Sequence, residues 1–357
     1  MSLRIRRRAN RFRCAFFVPL ICLLYAPVCA SAQVSNSEDG LQPIRTYIAS
    51  AWDSLTRSMT RCESVSDPKL SAPSILYLPA DVATPPSVQK LQSECKVEVK
   101  HLPELIQQPG QLDTNKFQPH GLLFLENSYV VPGGRFNEMY GWDSYFIILG
   151  LLRDNKLELA RGMVENFFFE IAHYGTVLNA NRTYFLSRSQ PPFLTSMIIA
   201  VYDAQKAVGH ADRAWLARAY GFASRDHDMW TREPHLAGST GLSRYFDHGE
   251  GPVAEGLQDE SGYYRTVTSY FLRHPESAAG ELTEVQPNED KPSAAGFTFA
   301  LQLCESMPSG SKCDPFKMLS LTRDYYKGDR SMRESGFDIS FRFGPYSAQS
   351  TWIVRTS

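Results

Sequence analysis

The chain has 357 residues, of which 43% are hydrophobic and 21% charged, with 37 basic against 38 acidic side chains. With no run of Lys or Arg beyond the first 13 residues, this balance argues against nucleic acid and against an anionic membrane surface as partners. A chain of this length buries a large core and can form one domain.

Arg4, Arg6, Arg7, Arg8, Arg11 and Arg13 precede an apolar block from Cys14 to Cys29 that runs into Ala30-Ser31-Ala32. The pattern predicts a secretory signal peptide over residues 1–32, cut after Ala32, and so a secreted or periplasmic protein with no stable membrane insertion after cleavage. A membrane anchor fits less well, because spanning takes about 20 apolar residues and Pro19 and Pro27 interrupt a shorter block. Without the leader, 31 basic against 38 acidic side chains leave a charge of about −7. Four cysteines remain, Cys62, Cys95, Cys304 and Cys313, and export permits disulfides. Three pairings are open; Cys62 with Cys95 and Cys304 with Cys313 joins nearest neighbours, and free thiols are the alternative. No Cys or His spacing suggests a metal.

Residues 33–118 read as an N-terminal helix and an irregular arm packed on the body. Helical spacing begins at Pro43 in "YIASAWDSLTRSM", and a proline-rich stretch from Asp67 to Pro119 carries "SILYLP" and "VEVKHLP" as short extended segments. Helical patterns then dominate. "SYFIILGLLRDNKLELARGMVENFFFEIAHYG" holds two helices around Asp154-Asn155, followed by "PFLTSMIIAVYDAQKAVG", "RAWLARAYGFASRDHDMW", "YYRTVTSYFLRH" and "SAAGFTFALQLCESM". Helix pairs in series, with no strict repeat period, predict an all-α fold of the α/α toroid kind.

Three polar loops break this pattern. In "VVPGGRFNEMYGWDSYF", Pro132-Gly133-Gly134 makes a turn that sets Arg135 at the mouth of a helix starting near Asp143 or Ser144. Arg135 offers fixed N–H donors, Trp142 a flat apolar face and Asp143 an acceptor, which together suit a sugar; Asp143 as a helix cap and Trp142 as core are the plainer reading. The second loop, "LNANRTYFLSRSQPPFL", gathers Asn179, Asn181, Arg182, Arg188 and Gln190, and Asn181-Arg182-Thr183 is also a glycosylation sequon. In the third, "RESGFDISFRFGPY", Arg333, Glu334, Asp338 and Arg342 surround Gly336 among phenylalanines. Aromatic surroundings push a carboxyl upward, as a general acid requires.

These stretches resemble the trehalase glycoside hydrolase family. "PGGRFNEMYGWDSYFIILGL" is similar to its first signature, "RSQPPFL" to a neighbouring motif and "ESGFD" to the Glu-Ser-Gly-Trp-Asp that bears the acid; similarity runs from about Phe117 to Tyr346. The resemblance implies an (α/α)6 barrel over 119–346, partial and incomplete at its C-terminal end. It implies inverting hydrolysis of α,α-trehalose to two glucoses, with acid and base carboxyls roughly 6.5 to 9.5 Å apart. Asp338 matches the acid. Arg135, Trp142, Asn179 and Arg188 match sugar-binding positions, Gly336 a backbone contact, and Asp143 and Gln190 are added as their neighbours. The partner implied is a small sugar, trehalose or a related glucoside, and no cofactor is required.

Departures are as informative. Where the family carries Arg-Pro-Glu-Ser, this chain reads "GEGPVAEGLQDE", so Glu255 stands for the glutamate while Val253 replaces the arginine. Phe337 replaces a tryptophan. The family's Gln-Trp-Asp-x-Pro-x-Gly-Trp-Ala-Pro run and its general base are not found, and "AQSTWIVRTS" within 347–357 reads as an atypical tail from a shifted frame. The expectation is a truncated trehalase-like chain without its base, for which Glu138, Asp143, Glu255 and Glu260 lack the context to substitute. A non-catalytic sugar-binding remnant is the alternative.

Overall fold

The computed structural model describes residues 38–66, 73–114, 119–251, 253, 267, 282–284, 319–336 and 353–354. The expected signal peptide, Cys304, Cys313, Glu255, Glu260, Asp338, Arg342 and the helical patterns "YYRTVTSYFLRH" and "SAAGFTFALQLCESM" (Val267 apart) lie outside the described residues. The chain divides into two compact units, 1–46 and 47–357. The described part of the first is 38–46, opening α1 (Glu38–Leu55), which starts five residues before the expected Pro43 and carries that proline inside.

Within the second unit, the stretch read as an irregular arm carries a three-stranded sheet. Strand β2 (Ser74–Leu78) lies between β3 (Val97–His101) and β4 (Leu122–Leu123), parallel to both, and α3 (Pro86–Glu94) connects β2 to β3. All five residues of β2 are buried, and a strand covered on both faces loses the alternation that would mark it in the sequence. Leu76 pairs with Val99 on one side and Leu122 on the other, so its partners come from distant segments. The Cys62–Cys95 disulfide, one of the expected pairs, ties α2 (Cys62–Val65) to the end of α3. A second pairing joins β1 (Thr56–Arg57) antiparallel to β5 (Tyr129–Val130).

Four helices follow: α4 (Gly141–Arg153), α5 (Leu157–His173), α6 (Leu194–Ala207) and α7 (Arg213–Thr231). The α4–α5 break falls where expected, at Asp154 and Asn155, with Asn155 in the left-handed region at φ 58°. Consecutive helices pack together, and so do α4 with α6 and α5 with α7. Two rows of alternate helices bridged by their connections are the repeating arrangement of an α/α toroid. The core between them includes Met163, Val164, Phe167, Phe168, Met197 and Val201, with the rings of Phe168 and Phe222 stacked 4.6 Å apart. Asp212 caps α7 by accepting from Trp215 N–H at 2.9 Å, the ordinary role of an Asp in that position.

The later described elements are β6 (Ser243–Arg244) paired with β9 (Ile353–Val354), β7 (Leu282–Glu284) paired with β8 (Leu319–Leu321), and α8 (Arg323–Arg333). Helix α8 buries Tyr325, Asp329, Arg330, Met332 and Arg333 along one face.

Candidate active site

The glycine-rich loop before α4 is held from below. Arg57 on β1 donates through Nε to the carbonyl of Phe136 (3.2 Å) and to Asn137 Oδ1 (3.3 Å), and through a terminal nitrogen to the carbonyl of Gly134 (3.2 Å). Glu138 is buried and accepts from Arg182 at 2.7 and 2.6 Å, and its second oxygen accepts from Asn137 N–H. That buried pair ties the loop to Arg182. Asn181 is fully buried, its Oδ1 accepting from Met139 N–H (2.7 Å) and its Nδ2 donating to the Leu123 carbonyl (2.9 Å), so the sequon is closed to glycosylation in the folded chain.

Helix α4 starts at Gly141, two residues before the expected position, and Asp143 falls in its first turn without capping it. Other residues meet the exposed N–H groups there. Gly141 N–H donates to the Asn179 carbonyl (3.0 Å) and Trp142 N–H to Gln190 Oε1 (2.8 Å). A helix start leaves such donors without partners of its own, and the second polar loop supplies them. Burial holds the Asp143 carboxyl above its ordinary value.

Trp142, Asn179, Gln190 and Gly336 converge around the start of α4. Gly336 has φ +77°, and a Cβ there would stand 2.8 Å from the indole nitrogen of Trp142, so only glycine lets the backbone lie against that ring. Asn179 Nδ2 donates to the carbonyls of Ser189 (3.4 Å) and Arg333 (3.3 Å), which joins the second loop to the end of α8. Arg188, 2% exposed, lies beside them: its carbonyl accepts from Asn179 N–H (3.1 Å), and its guanidinium pairs with Asp247 at 3.4 Å and covers the Phe185 ring at 4.8 Å. Arg135 is exposed at the loop, with its guanidinium 5.1 Å from the Phe136 ring centre. Asp338, two residues past Gly336, and Glu255 lie outside the described residues; Val253 is buried.

Glu334, already named in the third polar loop, and several residues not singled out by sequence reading complete the site. Asp247 is fully buried between Arg188 and Arg330, 3.4 Å from each, and its other oxygen accepts from Gly249 N–H at 2.6 Å. Glu334 is fully buried and touches His235, Ser189 and Phe246. Asp226 on α7 is buried nearby, its carboxyl raised to about 7, chiefly by burial; the neighbouring His235 opposes the shift and Glu334 adds to it. Burial also lowers the His248 imidazole. "YFDHGEG" and "RDYYKGDRSMR" gave no signal beyond charge, which usually marks solvated surface. Among the described residues no group of side chains could hold a metal ion, and no helix is long and apolar enough to cross a membrane.

The Trehalase family profile matches residues 31–284. The cytosolic neutral trehalase of Saccharomyces cerevisiae is 35% identical over 320 residues, covering 82% of this chain and 39% of the relative. The probable trehalase of Eremothecium gossypii is 39% identical over 333 residues with the same coverage. The solved structure of neutral trehalase Nth1 from Saccharomyces cerevisiae is 32% identical with a TM-score of 0.62, covering 86% of this chain and 56% of the other. The chain thus spans about 39% of the length of these curated relatives. These names overturn the expectation of a secreted or periplasmic protein, since relatives from Saccharomyces, Neurospora, Emericella and Pyricularia are named cytosolic neutral trehalases. A basic-then-apolar start is a compositional pattern, and the motifs that carry the chemistry hold no address. Family match, helical arrangement and site sequence agree: this chain is a member of the trehalase family, glycoside hydrolases with an α/α toroid fold.

Proposed function

We propose that these residues form the sugar-binding and proton-donating part of a cytosolic hydrolase that splits α,α-trehalose into two glucoses with inversion. The observation that supports it most is the convergence at the N-terminus of α4, where the Trp142 ring, Gln190, Asn179 and the Gly336 backbone meet. The indole offers a flat apolar face to the pyranose ring, and the nearby amides and guanidinium offer donors to its hydroxyls. Gln190 spends its oxygen on α4 and keeps Nε2 for a ligand; Arg188, held by Asp247, keeps its orientation whether or not sugar is bound. Asp143 and Arg135 meet the sugar from the rim, and Glu255 contributes a further acceptor. Asp338 is the acid: it protonates the glycosidic oxygen as the bond to the anomeric carbon breaks, leaving neutral glucose. Water, deprotonated by a base carboxylate, adds to that carbon from the opposite face.

No stretch of this sequence resembles the base-bearing segment, so we assign binding and protonation to these residues and turnover to a chain that also has that carboxylate. General base catalysis contributes roughly 10²- to 10⁴-fold. Sugar binding without turnover is the behaviour this reading expects of the 357 residues by themselves. Calorimetric titration with trehalose, with a glucose assay on the same sample, tests it. Saturable heat without glucose supports the assignment, glucose release places a base within these residues, and the absence of both overturns the sugar site.

A further inference from the structure

The carboxylate of Glu334 makes four contacts, all inside the protein and none needed for its own helix. It is 0% exposed and sits just past the end of α8, two residues before Gly336. Its Oε1 accepts from Ser189 N–H at 2.9 Å, and its Oε2 from Phe246 N–H at 2.7 Å. His235 Nε2 lies 3.1 and 3.0 Å from the two oxygens. With a backbone N–H aimed at each oxygen, the carboxylate is the acceptor throughout, and the imidazole is the tautomer that donates through Nε2. Its partners belong to three separate loops. Ser189 lies between Arg188 and Gln190, Phe246 precedes the Asp247 that pairs with Arg188, and His235 follows α7.

We propose that Glu334 is a positioning residue: one buried carboxylate fixes the 188–190 and 246–247 loops to the end of α8, and so sets Arg188 and Gln190 against Gly336 and Trp142. The role in sugar binding rests on the function proposed above; the fastening itself does not. A buried charge is tolerated when hydrogen bonds surround it, and each such bond to a charged group is strong. The sequence position supports the assignment, because Glu334 lies two residues before Gly336, so a shift of its backbone reaches that glycine.

Glu334→Gln is the informative change. It keeps the shape but turns one acceptor oxygen into an NH₂ facing a backbone N–H, so either Ser189 or Phe246 loses its partner. Hydrogen exchange should then quicken by about tenfold or more at residues 186–190 or 244–249 while α5 stays unchanged, since a hydrogen bond to a charged group is of that strength. In the same variant trehalose should bind about tenfold more weakly or worse. If Glu334→Gln does not fold, His235→Leu removes one donor and His235→Gln keeps one; the first should loosen both loops and the second restore them. Unchanged exchange in these loops overturns the proposal. So does faster exchange with unaltered trehalose affinity, which would make Glu334 structural only. If the unaltered chain binds no trehalose, the sugar reading falls, and exchange alone decides the fastening.

Discussion

Asp226 offers a prediction whose sign and size follow from its surroundings. The side chain is 6% exposed on the inner side of α7, and its Oδ1 has no hydrogen-bond partner among the described residues. Burial raises the carboxyl from the ordinary 3.8 to about 7, so between these values the folded chain holds a proton that the unfolded chain has released. Stability rises with pH only where the unfolded state binds more protons; here the folded state does, and Asp226 makes stability fall across that window. At about 1.4 kcal/mol per pH unit the loss accumulates to about 4 kcal/mol by pH 7 and stays constant above it. Asn is the neutral isostere of the protonated acid and does not titrate. Asp226→Asn should therefore match the parent chain near pH 4 and exceed its stability by about 4 kcal/mol at pH 8. Urea denaturation of both chains at pH 4.5, 6 and 8 measures the difference directly, and the other titrating groups cancel between them. A stability difference that stays flat over this range would refute the argument, because it would mean that Asp226 ionises in the folded protein as it does in water.

Gly336→Ala forces a Cβ into a left-handed position and to within 2.8 Å of the Trp142 indole, so it should cost about 2 kcal/mol in chemical denaturation and weaken trehalose binding at least tenfold. Arg182→Met strips the buried Glu138 carboxylate of its counter-ion and should cost about 3 to 5 kcal/mol by the same assay, while the double change Arg182→Met with Glu138→Leu should recover most of that loss. Asp247→Asn removes the charge that holds the Arg188 and Arg330 guanidinium groups, and should weaken trehalose binding more than it lowers stability, measured by paired titration and denaturation.

What the sequence made legible was what is written locally. The breaks and apolar faces of α4 to α7 lie in periodic runs of 13 to 19 residues, and Asp154-Asn155 marks the α4–α5 turn. The three loops carrying Trp142, Asn179, Arg188, Gln190 and Gly336 stood out because polar residues and glycines interrupted that pattern. Contacts between distant segments left no such trace. Strand β2 pairs with segments more than 20 residues away, and its burial on both faces removes alternation. Helix α8 was missed for a related reason: "RDYYKGDRSMR" looks like a solvated face, yet Asp329, Arg330 and Arg333 are buried by pairing with each other and with Asp247. Gln190 shows the same limit at a single residue. Its oxygen caps a helix 48 positions earlier in the chain, a role that no local pattern announces.

The chain's five tryptophans allow the central claim to be tested in one titration. Nitrogen-15 labelling of the indoles, with Trp142→Phe to assign one signal, lets trehalose report where it binds. The account predicts that the Trp142 indole N–H shifts saturably with added trehalose while those of Trp52, Trp215 and Trp230 stay in place. A folded protein whose Trp142 signal does not move at saturating sugar, or whose other indoles move instead, would contradict it.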